Sequence, residues 1–265
     1  MEILRAAGFP ILGEAFPAEW GERIGELNPN GFWESSFRDG ISWATNPDPT
    51  SGAYASPEQL RGIVGKIFCP GLLRTDLAFI ERVVVTLRPW RAYVASARRL
   101  HEMELGEKGA KILPFRPRDM ALDWWASNFG VVRNAALRGY PTTWVGYQEL
   151  IAQPERSVRR VLDFFGVEDA KGWEKVDPKQ RHYVDPEVPE VEPELAARLD
   201  DLYATLSTHG FVPEADVPRL NAAQAAISVE FAGLAERQRE AVDARRRLGR
   251  DRIAGRRDEP AKADE

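Results

Sequence analysis

Residues 82 to 99 read RVVVTLRPWRAYVASARR, and the fold turns on this stretch. Arg82 to Leu87 is a short, β-branched, nearly continuous apolar run, which predicts a strand covered on both faces. Arg88 follows at its carboxyl end. Pro89 or Trp90 opens a helix with Trp90, Tyr93, Val94, Ala97 and Leu100 on one side. Ser96 lies eight positions after Arg88. Ligands of open α/β sheets bind at the carboxyl ends of the strands. A guanidinium there can fork onto a phosphate, and a nearby hydroxyl can add a further bond. An arginine at a strand end and a small serine on a helix are also common structural residues.

The neighbouring segments repeat the alternation. Ile63 to Phe68 (IVGKIF) is a second β-branched run, and Thr142 to Tyr147 (TTWVGY) a third. Pro117 to Leu137 is a helix with Leu122, Trp125, Phe129, Val132 and Ala136 as its stripe. Pro154 to Phe165 is another, stopped by Gly166. Strand and helix alternating at these lengths predict a parallel sheet with helices on both faces. Met1 to Ala7 reads as the end of a helix stopped by Gly8 and Pro10. Ser56 caps a helix start with Pro57 at its first position.

Past Tyr183 the pattern changes. Pro186 to Glu194 (PEVPEVEPE) is extended and acidic, and Leu195 to Thr208 is helical. Pro218 to about Leu248 reads as one long helix with a thin stripe of Leu220, Ile227, Phe231 and Leu234. Seven arginines lie between Arg245 and Arg257. Acidic residues are interleaved with them, so a solvated helix face is expected there rather than a nucleic-acid site. The expected organisation is an α/β domain over 1–212, a helical extension over 213–249 that could pair two copies as a homodimer, and a disordered tail over 250–265.

Composition narrows the class. The chain has 265 residues, 43% of them hydrophobic, enough for one sizeable core. A net charge of -5 leans against a general nucleic-acid binder. Cys69 is the single cysteine, so no intramolecular disulfide forms, and a reducing cytoplasm is the expected compartment. His101, His182 and His209 have no metal-ligand spacing, so no metal site is expected. No apolar run is long enough to span a bilayer.

Three segments carry a family resemblance. The strand–Arg–helix–Ser arrangement of Arg88 and Ser96 resembles the 3'-phosphate-binding motif of PAPS-dependent sulfotransferases, although Pro89 follows the arginine directly. Thr143 to Val167 (TWVGYQELIAQPERSVRRVLDFFGV) is similar to that family's late strand and helix, with the acid of Tyr147-Gln148-Glu149-Leu150 displaced by one. AAGFPILGEAF followed by NPNGFWES is similar to a bacterial sulfotransferase-like group. Together the matches span Met1 to about Tyr183. The resemblance implies a three-layer parallel sheet like that of P-loop NTPases. It implies transfer of a sulfuryl group from PAPS to a hydroxyl or amine of a small-molecule or glycan acceptor, with PAP as product and no metal.

The resemblance also assigns residues. Arg88 and Ser96 would grip the 3'-phosphate, Tyr147 would lie against the adenine, and Arg181 is nominated as a late basic contact. Lys66 matches a strand lysine that stabilises charge. The family's catalytic histidine position is occupied by Phe68; other members of the family use a glutamate instead, and Glu34 in GFWES is the candidate base. The plainer alternatives are a snorkelling lysine, a loop glutamate bonded to backbone and a core tyrosine. The family's first strand and Gly-rich phosphate loop precede the helix matched at Met1, so the expectation is a start that lies upstream. The alternative is a catalytically inactive protein of the same fold that binds PAP or another phospholigand.

Overall fold

The computed structural model describes residues 1–15, 31–49, 51–168, 172–176 and 186–257, the side chains of 107, 108 and 249–257 excepted. It is an α/β protein with two small parallel sheets. The chain divides into two compact units. The first comprises Met1–Pro89, Trp125–Tyr183 and Asp200–Glu214; the second comprises Trp90–Trp124, Val184–Leu199 and Ala215–Glu265.

In the first unit, α1 (Glu2–Ala6) leads into β1 (Ile11–Leu12). Helix α2 (Pro57–Leu60) starts where the sequence places it. Ser56 accepts the amide of Gln59 at 3.3 Å, and the Gln59 side chain accepts the amide of Ser56 at 2.8 Å, closing a reciprocal capping box. Strand β2 (Val64–Gly65) pairs parallel with β1, and α3 (Cys69–Leu72) follows. Strand β3 (Val83–Leu87) then leads to α4 (Trp90–Ile112) and α5 (Pro117–Arg138). Strand β4 (Thr142–Gly146) pairs parallel with β3 along its whole length. Helices α6 (Tyr147–Ala152) and α7 (Pro154–Phe165) come after it, and Gly166 ends α7 where the sequence places its stop, in the left-handed conformation. Val85, Leu87, Trp144, Val145, Trp125, Phe129, Val158 and Leu162 are buried in this unit.

The sheet departs from expectation. Among the described residues four strands form two separate pairs, β1–β2 and β3–β4. Strand β3 is not covered on both faces: Val85 and Leu87 are buried, Val84 is half-buried and Thr86 is exposed. The Val83 amide donates to the Pro141 carbonyl at 3.0 Å. That sets the alternation, so Val83, Val85 and Leu87 turn their amides toward β4, and Val84 and Thr86 turn theirs away. Among the described residues nothing bonds to the backbone of Val84 or Thr86. The outer edge of β4 is engaged instead, with Trp144 donating to the Gly210 carbonyl at 2.9 Å.

In the second unit, α4 runs beyond the expected Leu100 but breaks at Gly106, whose φ of 65° and ψ of 178° are not helical. Trp90 and Val94 are buried as expected, whereas Leu100 is exposed. Helix α8 (Pro193–His209) begins in this unit, with Leu195 and Leu199 buried. Helix α9 (Val217–Arg257) buries Leu220, Ile227 and Leu234, three of the four stripe residues. It continues through the segment expected to be disordered up to Arg257. Alanine and arginine are strong helix formers, and an Arg246–Asp243 pair at 3.8 Å adds local support.

The polar contacts of α9 repeat along one face. Asp119 of α5 takes both Arg237 nitrogens, Nε at 3.0 Å and Nη2 at 2.7 Å. Arg118 pairs with Glu230 and, at 3.0 Å, with Glu192. Gln238 donates to Asp123, which also accepts the Tyr93 hydroxyl at 2.7 Å.

Candidate functional site

Leu87 of β3 stands opposite Gly146 of β4. The strands are parallel, so the residues that follow them, Arg88 and Tyr147, leave the sheet side by side at its carboxyl end. The Arg88 guanidinium lies 5.6 Å from the centroid of the Tyr147 ring, within cation–π range. Arg88 is exposed and Tyr147 half-buried, which puts a cation and an aromatic face where such sheets bind ligands. Gly146 keeps this corner tight: a Cβ there would stand 3.0 Å from the Ser207 Cβ on α8. The displaced acid, Glu149, lies 3.5 Å from Arg160 of α7, and Arg160 also donates to the Trp144 carbonyl at 2.8 Å. Glu149 is thereby used in holding α6 to α7, while Arg160 ties α7 to β4.

Ser96 falls in the second unit, on an exposed side of α4. Arg181 lies outside the described residues.

Glu34 and Lys66, 32 residues apart in sequence, meet in the first unit. Lys66 Nζ donates to Glu34 Oε1 at 2.6 Å and to the Phe32 carbonyl at 2.9 Å. The ammonium also sits 5.7 Å from the Phe68 ring, at the position where the resemblance expects a histidine. Glu34 is 6% exposed, and its Oε2 is buried with no hydrogen-bond partner among the described residues. An acceptor left bare in the interior costs free energy, of order 1–3 kcal/mol for a neutral group and more for a charged one. Such an atom is a candidate contact for a donor that is not part of the chain.

The backbone around Glu34 is tightly constrained. Glu14 and Glu34 exchange amide-to-carbonyl bonds, each 3.1 Å long. Gly13, at φ +103°, allows the close approach: a Cβ there would lie 2.5 Å from the Glu34 carbonyl oxygen. Trp33, directly before Glu34, holds φ 54°, which is strained for a bulky side chain. The Arg5 guanidinium covers its ring at 5.5 Å. Burial holds the Met1 amine below its ordinary value; Glu2 opposes this, and the Lys66 ammonium adds to it. The charge of Lys66 is therefore felt at the start of α1.

The sequence named Glu34 and Lys66 separately, and the fold makes them a pair. It missed Trp33 and Gly13 as the residues that fix the carboxylate. The glycine was visible, but nothing in the sequence marks a tryptophan for a left-handed backbone. Among the described residues no group of histidine, cysteine and acidic side chains could hold a metal ion, and no helix is long and apolar enough to cross a membrane. No family model, no curated protein and no solved structure matches the chain.

Proposed function

We propose that the chain is a sulfotransferase-type protein that binds PAPS or PAP at the carboxyl ends of β3 and β4. One observation carries the reading: Arg88 and Tyr147, nominated for the 3'-phosphate and the adenine, stand together beyond two parallel strands. A guanidinium suits a phosphate dianion through paired N–H donors, and an aromatic ring suits a purine face.

In this reading PAPS supplies the sulfuryl group. An acceptor hydroxyl or amine attacks sulfur, the bond from sulfur to the bridging phosphate oxygen breaks, and charge develops on that oxygen. Glu34 takes the acceptor proton, and the Lys66 ammonium stabilises the leaving oxygen. Oε2 of Glu34 is the oxygen with capacity for that proton, since Oε1 is held by Lys66.

The burial of Glu34 favours a second reading, in which its pair with Lys66 is structural and the protein binds PAP or another phospholigand without turnover. Calorimetric titration of PAP into the wild-type chain and the Arg88→Ala variant tests the shared site. Binding that weakens by roughly ten- to a hundredfold in Arg88→Ala is expected for loss of a charged hydrogen-bonding partner. Equal binding by both proteins removes the assignment. Sulfuryl transfer from labelled PAPS that is lost in Glu34→Gln while PAP affinity is kept selects the first reading over the second.

A further inference from the structure

His101 of α4 is 6% exposed in the second unit, and both of its ring nitrogens are engaged. Nε2 lies 2.8 Å from the Leu113 carbonyl oxygen, beyond the break at Gly106. Nδ1 lies 3.2 Å from Nη2 of Arg245 on α9. These partners leave one protonation state. A carbonyl oxygen only accepts, so Nε2 carries the hydrogen; a guanidinium only donates, so Nδ1 offers its lone pair. His101 is therefore neutral in this arrangement. A second proton would remove the acceptor that Arg245 uses and set two cations against each other.

Among the charges that the described residues place here, none replaces the lost bond. On its own helix the nearby charges are Glu104, 3.7 Å from Arg245, and Arg98, which covers the Phe115 ring at 5.4 Å. Arg98 is itself paired with Glu190 at 3.3 Å. The segment after α4 presents the Leu113 carbonyl and the Phe115 ring, edge-on to the imidazole at 5.5 Å. From α9 comes Arg245. Glu104 and Arg245 are both about half exposed, so their ion pair is weak on its own.

Among the described side chains Arg245 also stands last in the row of polar contacts that fixes α9. The preceding contacts are those of Glu230, Arg237 and Gln238. We propose that His101 is a proton-operated latch: in its neutral form it holds α9 through Arg245, and on protonation it releases the arginine-bearing end of that helix, from about Arg239 onward. Imidazole is the side chain suited to such a change near neutrality.

Hydrogen exchange of the full-length chain, normalised to the intrinsic rate at each pH, reads the latch directly. In wild type, protection over 239–257 should fall roughly tenfold between about pH 7.5 and pH 5.5, the effect of losing one charge-assisted bond, while protection over 119–129 is unchanged. His101→Gln keeps a donor and an acceptor without titrating and should show no such pH dependence. Arg245→Ala should leave 239–257 poorly protected at both pH values. A wild-type profile that does not change with pH overturns the latch, as does the same change in all three proteins. Long-range proton–nitrogen spectra give a check independent of the variants: hydrogen on Nδ1 rather than Nε2 at pH 7.5 also overturns it.

Discussion

Lys66 Nζ lies 2.6 Å from a Glu34 oxygen whose companion oxygen has no partner among the described residues. A carboxylate held this way is costly on its own and is stabilised mainly by one ammonium. Lys66→Met should therefore destabilise the protein by about 2–4 kcal/mol, toward the lower end because the lysine side chain is 34% exposed. Glu34→Leu combined with Lys66→Met should recover most of that loss. Denaturant unfolding of the two single variants and the double variant measures the coupling, and additive effects would show that the contact contributes nothing.

The nucleotide site makes a sharper demand on Arg88 than on charge alone. A lysine keeps the charge but not the planar fork that meets phosphate oxygens in pairs. Arg88→Lys should weaken PAP binding by roughly tenfold, and Tyr147→Phe should change it little, because the ring face is kept. Calorimetry on the two variants checks both, and a larger loss in Tyr147→Phe than in Arg88→Lys would contradict the assigned roles.

Two glycines separate backbone strain from collision. Gly8, at φ +92°, has nothing within 4 Å of an added Cβ, whereas at Gly13 the added atom would overlap the Glu34 carbonyl. Gly8→Ala should cost about 1 kcal/mol, from the unfavourable φ. Gly13→Ala carries the same penalty and must also displace Glu34, so it should cost about 2–4 kcal/mol. Thermal unfolding ranks them, and Gly13→Ala should also weaken any activity that depends on Glu34.

Acid should loosen the second unit through Glu192. A hydrogen bond from its own backbone amide, with help from Arg118, holds this carboxyl below its ordinary range against the opposing effect of burial. A carboxyl whose folded-state pKa is depressed contributes stability above its unfolded value, and that contribution disappears as pH falls through the folded value. Stability should therefore decline on the acid side of the ordinary glutamate range. Glu192→Gln, which cannot ionise, should lower stability near neutrality by about what the wild type loses in acid and so flatten the decline, as followed by urea midpoints across pH.

What the sequence determined by itself is local. Apolar periodicity and β-branching placed β3, β4, α5 and α7, and Ser56 with Pro57 announced the start of α2. These features depend on residues within a few positions of one another, so the order of the chain contains them. The candidate site was partly legible for the same reason, since Arg88 and Tyr147 each follow directly on a strand. Tertiary structure decided what depends on register and on distance along the chain. Only the parallel pairing of Leu87 with Gly146 sets Arg88 beside Tyr147, and only the Glu14–Glu34 bridge brings a carboxylate within reach of Lys66. The splitting of the sheet into two pairs, the break at Gly106 and the two partners of the His101 ring are also outcomes of packing. Each is set by which remote donors and acceptors the folded chain makes neighbours, and no stretch of residues specifies that alone.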